Sequence, residues 1–123
     1  MGVSQGIKAE TFSADYERKG PALIVKMRGN ADMAVHDQVK AFLDGVHHAA
    51  RSAAAAETVF ELGELYFMNS SCLSLMLRFI NAVMELDARD QYRVRLRSNR
   101  NLRWQTKSLA ALQAYAPDVV VIE

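Results

Sequence analysis

Two hydroxyls, Ser70 and Ser71, stand directly after Asn69 and directly before an apolar series of helical spacing that runs from Leu73 to Leu86. Asn and Ser accept hydrogen bonds from the unpaired N–H groups of a helix's first turn, so the triplet reads as a helix start. The positive end of a helix tolerates negative charge, and a phosphoryl group placed on a serine there gains backbone donors and a favourable dipole. The residues alone suit either a phosphoryl acceptor or a plain helix cap. A hydrolytic serine is poorly supported: neither hydroxyl has a general base nearby in sequence, and the chain has no Cys/His pair and no Gly-rich phosphate loop. Arg93, Arg95, Arg97, Arg100, Arg103 and Lys107 form a basic cluster. Most of it reads as a solvated strand face and helix start, while Arg97 and Arg100 fall in a loop where they can pair with a phosphate or an acidic partner. His36, His47 and His48 lack the spacing that puts two ligands on one helix face, so neither a metal nor another cofactor is expected.

Delivering those serines takes a strand before them and a helix behind them. Thr58-Val59-Phe60-Glu61-Leu62 is short, β-branched and aromatic, as a strand should be. The helix from Leu73 is unusually apolar. Leu73, Met76, Leu77, Ile80, Val83 and Met84 make one stripe and Leu75, Phe79, Ala82 and Leu86 another, together about twice the width of an ordinary core-facing stripe. Either the helix is flanked by neighbours on one sheet face, or Leu75 and Phe79, one and two turns from Ser70, form a docking patch or dimer contact.

Upstream, Met1 to about Glu10 has no period and reads as a loose arm. Thr11 to Arg18 and Ala22 to Arg28 flank the turn Lys19-Gly20-Pro21, a hairpin pattern. Asp32 is a plausible N-cap for a helix whose buried face is Val35, Val39, Phe42, Leu43, Val46 and Ala50, with His36, Asp37, Lys40, Asp44, His47 and Arg51 outward. Downstream, Tyr92 to Arg97 alternates apolar residues with Arg, which gives a strand one dry face and one wet face. Ser98-Asn99 offers a cap for a third helix with Leu102, Leu109, Leu112 and Tyr115 inward, and Pro117 ends it before Val119 to Ile122. This ββαβαβαβ order predicts an α/β fold with a mostly parallel, mixed sheet of about five strands and helices chiefly on one face. The loops Gly29–Asp32, Met68–Cys72 and Arg97–Arg103 should then meet at one sheet edge.

The whole chain bounds what else it can be. It has 123 residues, half of them hydrophobic, enough for one domain spanning 11–123. A net charge of +1 gives no support for a nucleic-acid or membrane-surface partner. Trp104 and Tyr92 make no stacking ladder, and no apolar run reaches bilayer length. The single cysteine, Cys72, has no partner for an internal disulfide, and no apolar leader is present, so a reducing, cytoplasmic setting is expected.

With the element order in hand, the chain resembles a STAS domain of the anti-sigma-factor-antagonist type, from Pro21 to the C-terminus. Gly29-Asn30-Ala31-Asp32 resembles the family's Gly-x-x-Asp, and Leu65-Tyr66-Phe67-Met68-Asn69-Ser70-Ser71 its Leu-x-Phe-Met-Asp-Ser-Ser-Gly. The resemblance implies a non-enzymatic signalling domain in which Ser70 is phosphorylated by a serine kinase and dephosphorylated by a phosphatase. The phosphate would decide binding to a kinase, an anti-sigma factor or a signalling enzyme. Matched by position, Asp32 assists partner recognition, and docking is expected over Asp32, Asn69, Ser70, Ser71 and Leu75, with Phe79, Arg97 and Arg100 as further contacts. Asn69 replaces the family's Asp, keeping a capping hydrogen bond but losing a charge. Cys72 replaces its Gly, and a Cβ there should keep a partner from lying closely on the loop. Two rivals are an unphosphorylated scaffold or transporter-regulatory module that self-associates through Leu75 and Phe79, and an anionic-ligand or nucleotide domain using Arg97 and Arg100.

Overall fold

The computed structural model describes residues 6–123. Within them run β1 (Ile7–Lys8), β2 (Phe12–Lys19), β3 (Ala22–Ala31), α1 (His36–Ser52), β4 (Glu57–Met68), α2 (Ser70–Met84), β5 (Arg93–Arg97), α3 (Arg103–Tyr115) and β6 (Val120–Ile122). All six strands lie in one sheet in sequence order. The β1/β2 and β2/β3 junctions are antiparallel, and the other three are parallel. Each parallel step advances in the same direction through a helix, and right-handed crossovers of that kind place every helix on the same face. The expected mixed α/β sheet is therefore observed, with six strands rather than about five. The added one is β1, which lies where a loose arm was expected. Ile7 is buried and pairs with Ala14, so the chain is tied down before Glu10. Residues 1–5 of that expected arm lie outside the described residues.

Alternation decides which side chains go under the helices. Ala14, Val25, Met27, Phe60, Val94 and Leu96 are buried on the covered face against Val39, Phe42, Leu43 and Val46 of α1 and Met76, Ile80 and Val83 of α2. The predicted inward face of α1, Val35 included, is buried throughout. On the other face, the register lines up Asp15, Lys26, Glu61 and Arg97 across four strands, and Glu123 follows β6 beside Arg97. The signs alternate along this row. Lys26 is 4.0 Å from Glu61, and the Arg97 guanidinium is 3.1 Å from both Glu61 and Glu123. Arg95 adds bonds to Glu57 (3.1 Å) and Glu123 (2.7 Å). Those bonds hold the Glu123 carboxyl below its ordinary pKa and raise that of Arg95. Cross-strand pairs of opposite charge, rather than a covering helix, finish this side of the sheet.

The central strand is longer than its sequence suggested. Thr58 to Leu62 is regular, but β4 continues to Met68 through two register shifts against β3. Each shift inserts one extra residue into β4, a β-bulge. The burial pattern accordingly changes from a continuous run at Thr58, Val59 and Phe60 to every third residue, at Leu62, Leu65 and Met68. Beside β5, pairing stops at Glu61 and Arg97, so β4 overreaches its neighbour. Side chains from the α3 region close that edge. The buried Gln105 amide donates to the Leu62 and Leu65 carbonyls at 2.7 and 3.1 Å, Trp104 Nε1 donates to Leu65, and Asn99 donates to Gly63.

One core position runs against the rule that buried polar atoms are paired. Thr58, between Leu23 and Val94 in the sheet, is fully buried, and its Oγ1 has no partner among the described residues. Thr58→Val keeps the shape and removes the desolvated hydroxyl, and is expected to raise stability by about 1 kcal/mol. A higher urea midpoint at unchanged slope checks this.

Candidate functional site

Asn69 leaves β4 in extended conformation, and its side-chain oxygen accepts from the Cys72 N–H at 2.8 Å. That makes Asn69 the N-cap of α2, while its own N–H donates to the Ala31 carbonyl at 2.9 Å. The β3 and β4 ends are thus stapled together. Capping falls to Asn69 alone, so the serines are released from it. Ser70 is the first residue of α2 and exposed, Ser71 is half-buried, and neither hydroxyl holds a hydrogen bond among the described residues. The N–H groups of Ser70 and Ser71 likewise reach no described acceptor, leaving two donors at the positive end of a fifteen-residue helix. The Ser70 carbonyl accepts from Ser74 Oγ at 3.0 Å, which fixes the first turn.

Asp32 sits across this staple. Its carboxylate accepts from Ala34 N–H at 3.0 Å and caps the short 3-10 turn Met33–Val35 that leads into α1, while its carbonyl lies 3.7 Å from Cys72 Sγ. Ser70 and Asp32 are therefore at the same end of the sheet, each just past the end of one of two adjacent strands, β4 and β3. Gly29 shapes the approach: its φ is +94°, and a Cβ there would lie 2.1 Å from the Thr11 carbonyl oxygen.

Cys72 is fully buried beneath the loop, so its Cβ does not stand in the way of a partner, contrary to expectation. Burial, and then the Asp32 carboxylate, push its thiol pKa up, the opposite of what a reactive thiolate needs.

Leu75 and Phe79 do not form the expected docking patch or dimer contact. They are 8% and 3% exposed, because α1 lies along α2 and takes up the second apolar stripe. The Phe79 ring stands edge-on to Phe60 with centroids 5.3 Å apart, and touches His47 and Tyr92. His47, placed outward by the periodicity of α1, instead turns half inward, its Nδ1 2.7 Å from Tyr92 Oη. Burial lowers the His47 pKa and raises that of Tyr92, so both stay neutral and the bond is kept. No surface patch exists at Leu75 and Phe79.

Arg97 and Arg100 are not neighbours of Ser70. Arg97 pairs with Glu61, and β4 runs on to Met68, a separation on the order of 20 Å along the strand. Arg97 Nε donates to Glu123 and Nη1 donates to Glu61, which ties the guanidinium to the sheet. Arg100 follows Asn99, which is bonded to Gly63, so its loop docks well below the mouth of α2. The third loop of the expected trio is thus used to seal the edge of β4. Neither Ser98 nor Asn99 caps α3, whose start at Leu102 has no side-chain cap, and Tyr115 is exposed, donating to Asn81.

Sequence reasoning passed over Met33, Tyr66 and Phe67, which are 62%, 56% and 47% exposed around this same end. The available signal was the three-residue spacing of Leu62, Leu65 and Met68, which leaves two residues outward in each interval.

No family model matches the sequence, and no curated protein matches it. Solved structures do match in shape. An anti-sigma factor antagonist from Mycobacterium paratuberculosis aligns with a TM-score of 0.63 at 14% identity, over 90% of this chain and 88% of that one. The anti-sigma factor antagonist SpoIIAA in its unphosphorylated form aligns at 0.56 and 17%, over 89% and 87%. The Bacillus cell fate determinant SpoIIAA in its phosphorylated form aligns at 0.55 and 18%, over 89% and 90%. Strand order, one-sided helices and the strand-to-helix mouth together give this chain the STAS-type fold of the anti-sigma factor antagonists.

Proposed function

We propose that this chain is a non-enzymatic signalling module that binds a partner protein through the mouth of α2 and is switched by reversible phosphorylation of Ser70. The observation that carries the reading is the division of labour at the helix start. Asn69 does the capping, so the exposed Ser70 hydroxyl has no structural task, and two free N–H groups wait beside it. A phosphate on Ser70 brings about −1.5 to −2 charges to a spot where backbone donors can take its oxygens. It also puts that charge beside Asp32 and among exposed apolar side chains, where a docked partner would have to desolvate it. The bare hydroxyl permits docking and the phosphate expels the partner. The kinase, phosphatase and anti-sigma-factor-like or signalling-enzyme partner belong to this reading, supported by the likeness to SpoIIAA, of which unphosphorylated and phosphorylated forms are described.

The test is direct. Protein isolated from its own cells with phosphatases inhibited should carry one phosphoryl group, mapped by peptide mass to Ser70, and Ser70→Ala should carry none. Phosphate found only elsewhere, or on no residue under any growth condition, sinks the proposal.

A further inference from the structure

We infer that Tyr66, Phe67 and Met33 are the anchor that seats a protein partner with an apolar cleft and a basic rim, an assignment that rests on the partner-binding reading above. Five large apolar residues are well exposed among the described residues: Met33, Tyr66, Phe67, Met84 and Tyr115. The last two close the far ends of α2 and α3. The other three gather at the Ser70 end. Phe67 pairs with Asn30, the next register pair joins Met68 to Ala31, and Met33 follows two residues later. A regular strand would turn one of two adjacent residues into the core; the second bulge of β4 leaves both Tyr66 and Phe67 outside. Aromatic side chains held on a rigid strand are the residue types that dominate binding energy at interfaces.

Charge selects the occupant. From Asn30 to Asp37 and from Glu64 to Leu77 there is no Lys or Arg, while Asp32, Asp37 and Glu64 are acidic. Glu64 is paired with Arg28 at 3.3 Å, the exposed Asp37 carboxylate lies 3.3 Å from His36 Nδ1, and the Asp32 carboxylate, which accepts from Ala34 N–H, meets no Lys or Arg among the described residues. A second copy docking through the same patch about a twofold axis would oppose acid to acid. A partner whose apolar cleft is bordered by Lys or Arg meets both the aromatic pair and the two carboxylates.

The experiment replaces Phe67 with a photo-cross-linking phenylalanine analogue in tagged protein expressed in its own cells. A second chain carries the analogue at Tyr115, which is comparably exposed at 49%. Position 67 should give one discrete adduct with a different protein, and position 115 should not. The adduct should fall by about tenfold with Tyr66→Ala or Met33→Asp. The partner's cross-linked peptide, read by mass spectrometry, should be apolar and flanked by Lys or Arg. Thermal melts of both variants should overlay the wild type; where one does not, Tyr66→Ser or Met33→Gln takes its place. The anchor is overturned by no adduct at 67, the same adduct from 115, a self-adduct, an acidic partner peptide, or indifference to both variants. Adding Ser70→Glu separates the two ideas. An adduct lost with residues 66 and 33 but indifferent to Ser70→Glu supports the anchor and removes the switch; the reverse removes the anchor and leaves the switch.

Discussion

Phe79→Ala is expected to destabilise the fold by about 3–5 kcal/mol, which is a large part of what a domain of this size holds in reserve. The ring is 3% exposed and stands edge-on to Phe60 of β4, with His47 of α1 and Tyr92 just before β5 around it. Removing it opens a cavity where α1, α2 and the sheet meet. Because the surroundings include the 2.7 Å bond between His47 and Tyr92, collapse into the gap is opposed by a hydrogen bond that would have to bend. Urea unfolding by circular dichroism measures the change. A loss below about 1 kcal/mol would mean that Phe79 is a surface residue after all, returning it to the docking role that its burial takes away.

Gly29→Ala is expected to cost about 2–5 kcal/mol by two routes that act together, a strained backbone and a steric overlap. At φ +94° an L side chain is disfavoured, and its Cβ would lie 2.1 Å from the Thr11 carbonyl oxygen. That oxygen already accepts the Asn30 N–H at 2.8 Å, so it cannot retreat without giving up a bond that holds β2 to β3. Relief requires moving the segment that carries Asp32, and with it the Ala31 carbonyl to which Asn69 is bonded. The variant should therefore unfold at lower urea and also loosen the mouth of α2. Hydrogen exchange at Asn69 and Cys72 reads the second effect, and wild-type protection there together with a wild-type urea midpoint would refute the account.

What could be read from the chain alone follows a physical line. Periodicity holds where one element packs by one rule: the inward face of α1 and the alternation of β5 are as the sequence implies, because nothing interrupts a 3.6 or 2.0 repeat. It failed where the rule changed midway. From sequence β4 ends at Leu62 because Gly63 and Glu64 interrupt the apolar pattern, which is what a bulge does. From sequence Phe79 fits either core or surface, because a stripe on one helix cannot say whether a neighbouring helix covers it. Arg97 and Arg100 neighbour Ser70 only if parallel strands end level, and β4 outruns β5. Gln105, polar and fully buried, carried no local signal: its partners are carbonyls forty residues away, and only the overreach of β4 makes them need a donor. The mouth of α2 was legible because capping is a contract among adjacent residues, with Asn69 rather than the serines meeting it.

The bare side of the sheet has a property that goes beyond its own cohesion. Read across the strands, Asp15, Lys26, Glu61, Arg97 and Glu123 have the same order of signs in either direction. A twofold centred on such a row lays anion on anion and cation on cation; opposites meet only when the rows slip by one strand spacing, about 4.8 Å, which leaves one charge of each row unmatched at the end. A palindrome of charge thus opposes level stacking of this flat face on its twin, with no helix spent on covering it.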